Sequence, residues 1–195
     1  MNYLAHLYLS DRDPDSLVGS LMGDFLKGRV GDDLAPAVRR GVILHRKVDA
    51  YTDSHPVIRA SKRRISPDFR RYAGILVDIF YDHFLASEWE SYSSVPLDAF
   101  AQSVYRILEE RHASFPQRMQ RSMSYMISNR LLQSYRDIDG VHRALCGIET
   151  RLSRPSRLGE AVRELEQNHA ALREDFTTYL PELVDFVARQ ERAPE

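Results

Sequence analysis

Between Gly74 and Leu85 the chain reads Gly-Ile-Leu-Val-Asp-Ile-Phe-Tyr-Asp-His-Phe-Leu, and wound as a helix it has no plainly polar face. Phe69, Ala73, Leu76 and Phe80 line one side, while Ile75, Ile79, Leu85 and Trp89 share the other with Asp78 and Asp82. A helix apolar nearly all round has to be covered on all sides, so it belongs at the centre of other helices. The same burial draws two carboxylates one turn apart into the interior, where they repel unless a cation or a shared proton separates them. A divalent metal is the economical solution.

The rest of the chain supplies the cover. Breakers are far apart, and the stretches between them carry apolar residues at three and four rather than alternate positions, which is the helical period. Pro36 to Asp53 reads as one helix, ended by Ser54-His55-Pro56 because a residue before proline disfavours the α region. Ser66-Pro67 reads as an N-cap with proline in the first turn, opening a helix to about Glu90. Pro96 opens another. Helices over about 115–130, 131–152 and 156–189 follow, with a break near Pro181. The expectation is an all-α fold: a single-domain helical bundle over residues 1–195, with seven or so helices. A chain of 195 residues with 43% apolar and 28% charged residues needs no staple to hold such a core.

Composition also narrows the setting. The 27 basic and 28 acidic residues leave a net charge of −1, which argues against a general nucleic-acid binder. Cys146, the single cysteine, forbids an intramolecular disulfide, fits a reducing compartment and reads as a core residue. Met1 to Asp13 has no basic run and no apolar stretch approaches about 18 residues, so neither a signal peptide nor a membrane span is expected. Together these place the protein in the cytoplasm.

Acids and histidines inside apolar surroundings recur in three more segments. Asp24 stands in Leu-Met-Gly-Asp-Phe-Leu, with Gly19 and Gly23 allowing close backbone approach. His45 and Asp49 share the core-facing stripe of their helix with Val38, Val42 and Val48, and Asp53 follows one turn later. His6 lies in Tyr-Leu-Ala-His-Leu. Each has a plainer reading: Asp24 as a cap or an arginine partner, His45 as a satisfied core histidine, Asp78 and Asp82 as acids neutralised by arginines. Taken together, Asp24, His45/Asp49 and Asp78/Asp82/His83 suit an oxygen-rich, imidazole-containing Mn, Mg or Fe site. Other chemistries fail on spacing. Arg29-Val30 stands where a phosphate loop needs Lys-Ser/Thr, no His-Glu-x-x-His or Gly-x-Ser-x-Gly occurs, and one cysteine cannot build a thiolate zinc site.

The blocks Met1-Asn2-Tyr3-Leu4-Ala5-His6-Leu7, Gly23-Asp24-Phe25, Leu44-His45-Arg46-Lys47-Val48-Asp49 with Thr52-Asp53, and Asp78 with Tyr81-Asp82-His83-Phe84-Leu85 resemble the acyl carrier protein phosphodiesterase family. Tyr135-Arg136-Asp137 extends the similarity more weakly. The resemblance implies a helical relative of the HD-type metal phosphohydrolases that removes 4'-phosphopantetheine from holo acyl carrier protein with a divalent metal, manganese before magnesium or iron. There is no His-Asp dipeptide, only the reversed Asp82-His83, so an HD-like site here has to be rearranged.

On that resemblance Asp24, His45, Asp78 and Asp82 are the expected metal ligands, and Asp24, His45 and His83 the catalytic residues, His45 doubling as ligand or proton donor. His6, Asp49 and Asp53 are expected as orienting groups or extra ligands. Carrier proteins are acidic, and Arg59, Lys62, Arg63, Arg64, Arg70 and Arg71 against Asp68 give 55–72 an excess of five positive charges, a candidate docking face. Two other readings stay open. One is a metal-dependent nucleotide or small-phosphoester hydrolase; the other is a non-catalytic helical adaptor for an acidic protein, with its buried acids paired by arginine.

Overall fold

The structure, a computed structural model, describes residues 3–31, 33–152 and 156–192, so Met1 and Asn2 of the first sequence block lie outside it. Among the described residues there is no strand. The α-helices are α1 (Tyr3–Leu9), α2 (Pro14–Met22), α3 (Pro36–Ser54), α4 (Pro56–Arg64), α5 (Ala73–Ser87), α6 (Leu97–Arg111), α7 (Gln117–Ser128), α8 (Leu131–Ser134), α9 (Ile138–Glu149) and α10 (Val162–Arg192). Short 3-10 turns at Pro67–Tyr72, Trp89–Ser91, His112–Ser114 and Leu158–Ala161 join some of them.

Local chemistry sets the helix starts. The Asp13 side chain accepts from the Asp15 and Ser16 amides, filling two of the donors that a helix N-terminus leaves open, and Pro14 takes the first helical position. His55 separates α3 from α4: its extended backbone suits the residue before Pro56, and its ring accepts from the Val57 amide. Two expected boundaries move. Ser66 does not cap a helix. Its amide and hydroxyl both donate to buried Glu164 of α10, the next residues form a 3-10 turn, and α5 starts only at Ala73. Pro181 does not break α10, because Phe176, Tyr179, Leu180, Leu183 and Val187 keep that stretch fastened to the core on both sides of it. The stretch 131–152 divides into α8 and α9 around Tyr135–Asp137.

The central role read for the apolar helix holds. In α5, Leu76, Val77, Ile79, Phe80, Tyr81, Phe84 and Leu85 are buried, and α1, α4, α9 and α10 all pack on it. Each such Leu or Phe contributes about 1.5–3 kcal/mol on burial. Among the described residues, apolar side chains from all ten of these helices join in one core. Beside it, α2 and α3 approach closely through two glycines: a Cβ on Gly19 would run into the Val38 carbonyl, and one on Gly41 into the Ser16 carbonyl. That contact carries Gly23 and Asp24, at the end of α2, up against the middle of α3. No helix among the described residues is long and apolar enough to cross a membrane.

Candidate metal centre

Helix α1 is only seven residues long and is held from outside. Asp82, fully buried on α5, accepts from the Leu4 amide at 2.9 Å and the Ala5 amide at 3.0 Å, one to each carboxylate oxygen. These bonds pin the first turn of α1 against α5 and aim His6 at α3. The Ser10 hydroxyl and, at 3.3 Å, the Ser20 hydroxyl donate to the His6 carbonyl and fasten the turn that follows.

His6 there meets His45. The two rings stack with centroids 3.9 Å apart and planes 18° from parallel, both buried. Asp49, one turn after His45 on α3, reaches both rings: Oδ1 lies 3.1 Å from His6 Nε2, and Oδ2 lies 3.1 Å from His45 Nε2. Asp24 comes from the turn after α2, its Oδ1 3.5 Å from His45 Nε2. Gly23 makes room for this, since a Cβ there would strike the His45 ring. The rings form the floor, while the carboxylates open to solvent with side chains 48% exposed for Asp24 and 42% for Asp49. Asp24 is therefore not the enclosed acid that its apolar neighbours in sequence suggested.

The electrostatics follow from these contacts. Burial pushes His6 down to about 4, against the pull of Asp49. Burial also opposes charge on His45, but hydrogen bonding to Asp24 and Asp49 wins and raises it to about 9. Burial works against the Asp49 anion too and is outweighed by both rings, which hold it far below the usual carboxylate range. An ionised carboxylate only accepts, so His6 Nε2 donates to Asp49 Oδ1, while His45 Nε2 faces the other oxygen as a charge partner. The open mouth thus presents two carboxylates, those of Asp24 and Asp49, above the two rings.

The donor atoms of His6, His45 and Asp49 lie within 4.8 Å of one another. Two imidazole nitrogens with carboxylate oxygens suit a divalent first-row cation. These residues, with Asp24 beside them, fit the metal that the sequence implies. The Nδ1 of His45 is buried without a hydrogen-bond partner, so this ring is oriented by stacking and by Gly23 rather than by an outer acceptor.

Of the residues singled out in the sequence, the fold brings Asp24, His45, His6 and Asp49 together. The others are engaged differently. Asp82 was expected on a metal, but both its oxygens are engaged by backbone amides, an arrangement that solves the problem of a buried acid without a cation. Asp78, one turn earlier, is half-buried and outside the three-donor group; burial raises its pKa, with Lys62 pulling it down and Asp49 adding to the rise. His83 was expected at the chemistry. Instead its Nδ1 donates to the Tyr135 carbonyl at 2.8 Å and its ring faces His169, 6.1 Å away. Asp53 is exposed and accepts from Lys62 at 3.0 Å.

The basic stretch is smaller than its charge count. Arg64 makes a two-pronged pair with Asp175, Lys62 is held by Asp53, and Arg71 lies over the Tyr72 ring. Arg59, Arg63 and Arg70 remain exposed and carry no ion pair among the described residues. Cys146, read as core, is half-buried with its Sγ 3.6 Å from His142 Nε2.

Sequence reasoning missed Arg118, whose Cζ lies 6.0 Å from the ring centre of Phe25 beside Asp24, and with it Ser122 and Arg151, which act together with Arg118 on the buried Tyr3 phenol. Ser122 and the two arginines lie far along the chain from Asp24, and nothing in their spacing linked them to it.

The family model for acyl carrier protein phosphodiesterase matches residues 1–183. Curated proteins named acyl carrier protein phosphodiesterase are similar over almost their whole length. One from Serratia proteamaculans is 33% identical over 94% of this chain and 96% of its own. One from Salmonella paratyphi A is 32% identical over 97% and 99%, and one from Klebsiella pneumoniae 31% identical over 94% and 96%. No solved structure matches the chain.

Proposed function

The chain belongs to the acyl carrier protein phosphodiesterase family, and we propose that it hydrolyses the phosphodiester of holo acyl carrier protein at the His6–Asp24–His45–Asp49 cluster. The products are 4'-phosphopantetheine and apo carrier protein. The observation that carries the reading is the pair of stacked imidazoles sharing one carboxylate at an open mouth. We assign residues 1–195 to one domain and place the protein in the cytoplasm, a reading that the single cysteine supports.

His6, His45 and Asp49 would hold the cation, with Asp24 completing the set. Two imidazoles favour manganese or iron over magnesium, which prefers an all-oxygen shell. Such a cation supplies a water of lowered pKa and offsets charge on the phosphoryl oxygens. The protein does the rest. Asp24, the most exposed of the four, presents its carboxylate to the attacking water and orients it toward phosphorus. Before a cation enters, Asp49 holds both rings in register through its two oxygens, and Asp82 keeps His6 in place by holding α1. Hydrolysis puts the water oxygen on phosphorus, breaks its bond to the carrier serine, and returns a proton to that serine oxygen. Arg59, Arg63 and Arg70 offer an exposed basic face to the acidic carrier.

The test is the intact mass of holo acyl carrier protein after incubation with the protein and manganese, with a chelator control. Loss of the phosphopantetheine mass only while metal is free supports the reading. An unchanged mass with metal bound directs it to small phosphoesters, and no bound metal directs it to a non-catalytic adaptor.

A further inference from the structure

The mouth of the cluster is bordered by residues from the far half of the chain. On α7, Arg118, Ser122 and Tyr125 recur at four and three residues and share one face, while buried Met119, Met123 and Met126 point about 100° away. Arg118 Cζ lies 6.0 Å from the ring centre of Phe25, the residue next to Asp24. The Tyr125 hydroxyl sits over Gly147 of α9, where a Cβ would collide with it. Arg151, just beyond α9, folds back on the same ring: its Nε donates to the Gly147 carbonyl at 2.9 Å and its Cζ lies 5.8 Å from the Tyr125 centroid.

Tyr3 ties this group to the cluster. Burial pushes its phenol up to about 12, Asp24 adds to the rise, and Arg151, Arg118 and Ser122 act against it. Arg118 stands two turns before Tyr125 on the same face of α7 and Arg151 lies on the Tyr125 ring, so the two guanidiniums share the side of the fold that Phe25 and Asp24 reach. Other arginines of the fold, Arg64, Arg163 and Arg173, are engaged by carboxylates, whereas Arg118 and Arg151 have no ion pair among the described residues. An arginine laid on an aromatic ring is held in direction while N–H groups at its edge stay free.

We propose that Arg118 and Arg151 form the anion seat of this site, taking the non-bridging oxygens of the substrate's phosphodiester beside Asp24. This rests on the phosphodiesterase reading above, and it names the groups that grip the phosphate. Guanidinium forks match phosphate oxygens in pairs, and positive groups at the border offset the repulsion of an anion by the two carboxylates at the mouth. Phe25 and Tyr125 serve as the plates against which the two guanidiniums rest.

The experiment is calorimetric titration of the manganese-loaded protein with 4'-phosphopantetheine and, separately, with inorganic phosphate. Wild type, Arg118→Gln, Arg151→Gln, the double variant and Arg118→Lys are compared. Both positions are exposed, so the fold is expected to survive, and manganese affinity measured without phosphate checks the cluster itself. Each Gln variant is expected to bind both probes about 10-fold more weakly with manganese affinity unchanged, the double variant more weakly still, and Lys to recover only part. Binding is read without turnover, so failure of the carrier-protein reading leaves this result interpretable. The proposal is overturned if the double variant binds both probes as wild type does, if wild type binds neither, or if only 4'-phosphopantetheine is weakened, which would put the arginines on the pantetheine arm instead.

Discussion

Two acids meet helix α1, and they do different work. Asp82 is fully buried and spends both oxygens on the Leu4 and Ala5 amides; Asp49 is half open and spends its two on the rings of His6 and His45. Backbone amides have no second chemistry, so Asp82 is a cap that fixes where α1 lies. Imidazoles can give up their protons to a cation, so Asp49 is the hinge of a candidate centre. Depth of burial does not mark the functional acid. What fills its lone pairs does.

The largest effect that separates the two regions is on turnover. Asp24→Ala is expected to reduce hydrolysis of holo carrier protein by about 10³-fold or more while leaving the melting temperature nearly unchanged, since the side chain is half exposed and anchors no helix. Asp82→Ala should do the reverse. Leaving two buried amides without an acceptor costs about 2–4 kcal/mol, read as a shift of the urea midpoint, with activity falling only through displacement of His6. If Asp82→Ala were as stable as wild type but dead, the division between cap and centre would fail.

Gly23→Ala sharpens the boundary between them. The added methyl meets the His45 ring, so metal affinity should fall about 10- to 100-fold by titration at a stability cost of about 1–3 kcal/mol. The pH dependence is smaller and distinguishes the same two acids. Burial raises Asp82 to about 7, with the two amides working against that rise. Between about pH 4 and pH 7 the folded chain then holds a proton that the unfolded chain has lost, so this group makes stability fall as pH rises through that window. In denaturant titrations wild type should lose ground to Asp82→Asn across that range. Smallest of all, reversing exposed Arg59 and Arg63 to Glu should raise KM for the carrier protein a few-fold with kcat kept, an effect that salt diminishes.

Much of the architecture was legible because helical periodicity is a local property. The burial of α5 and the end of α3 at Ser54 follow from residues near one another in the chain, whereas the partner that Gly19 approaches, Val38 of α3, does not. The ends that moved depended on partners far away: Ser66 is drawn to Glu164, and Pro181 is carried by the core beneath α10. The site was legible in the same uneven way. His45 and Asp49 share a stripe by their four-residue spacing, and Asp24 stood out, whereas His6 and Asp49 were ranked as supporting groups. Asp82 stood out for the wrong reason, since sequence shows an acid among apolar residues but not the amides that satisfy it. Arg118 and Arg151 left no trace in local pattern, because only tertiary folding brings α7 to Phe25 and the segment after α9 onto Tyr125.

The central claim is that the cation site lies at the stacked histidines and Asp49, not at the acids of α5. Manganese titration followed by electron paramagnetic resonance, run on Asp49→Asn and Asp82→Asn beside wild type, tests it directly. Loss of tight manganese binding in folded Asp49→Asn, with binding retained by Asp82→Asn, is the expected result. Wild-type manganese binding by Asp49→Asn would contradict it.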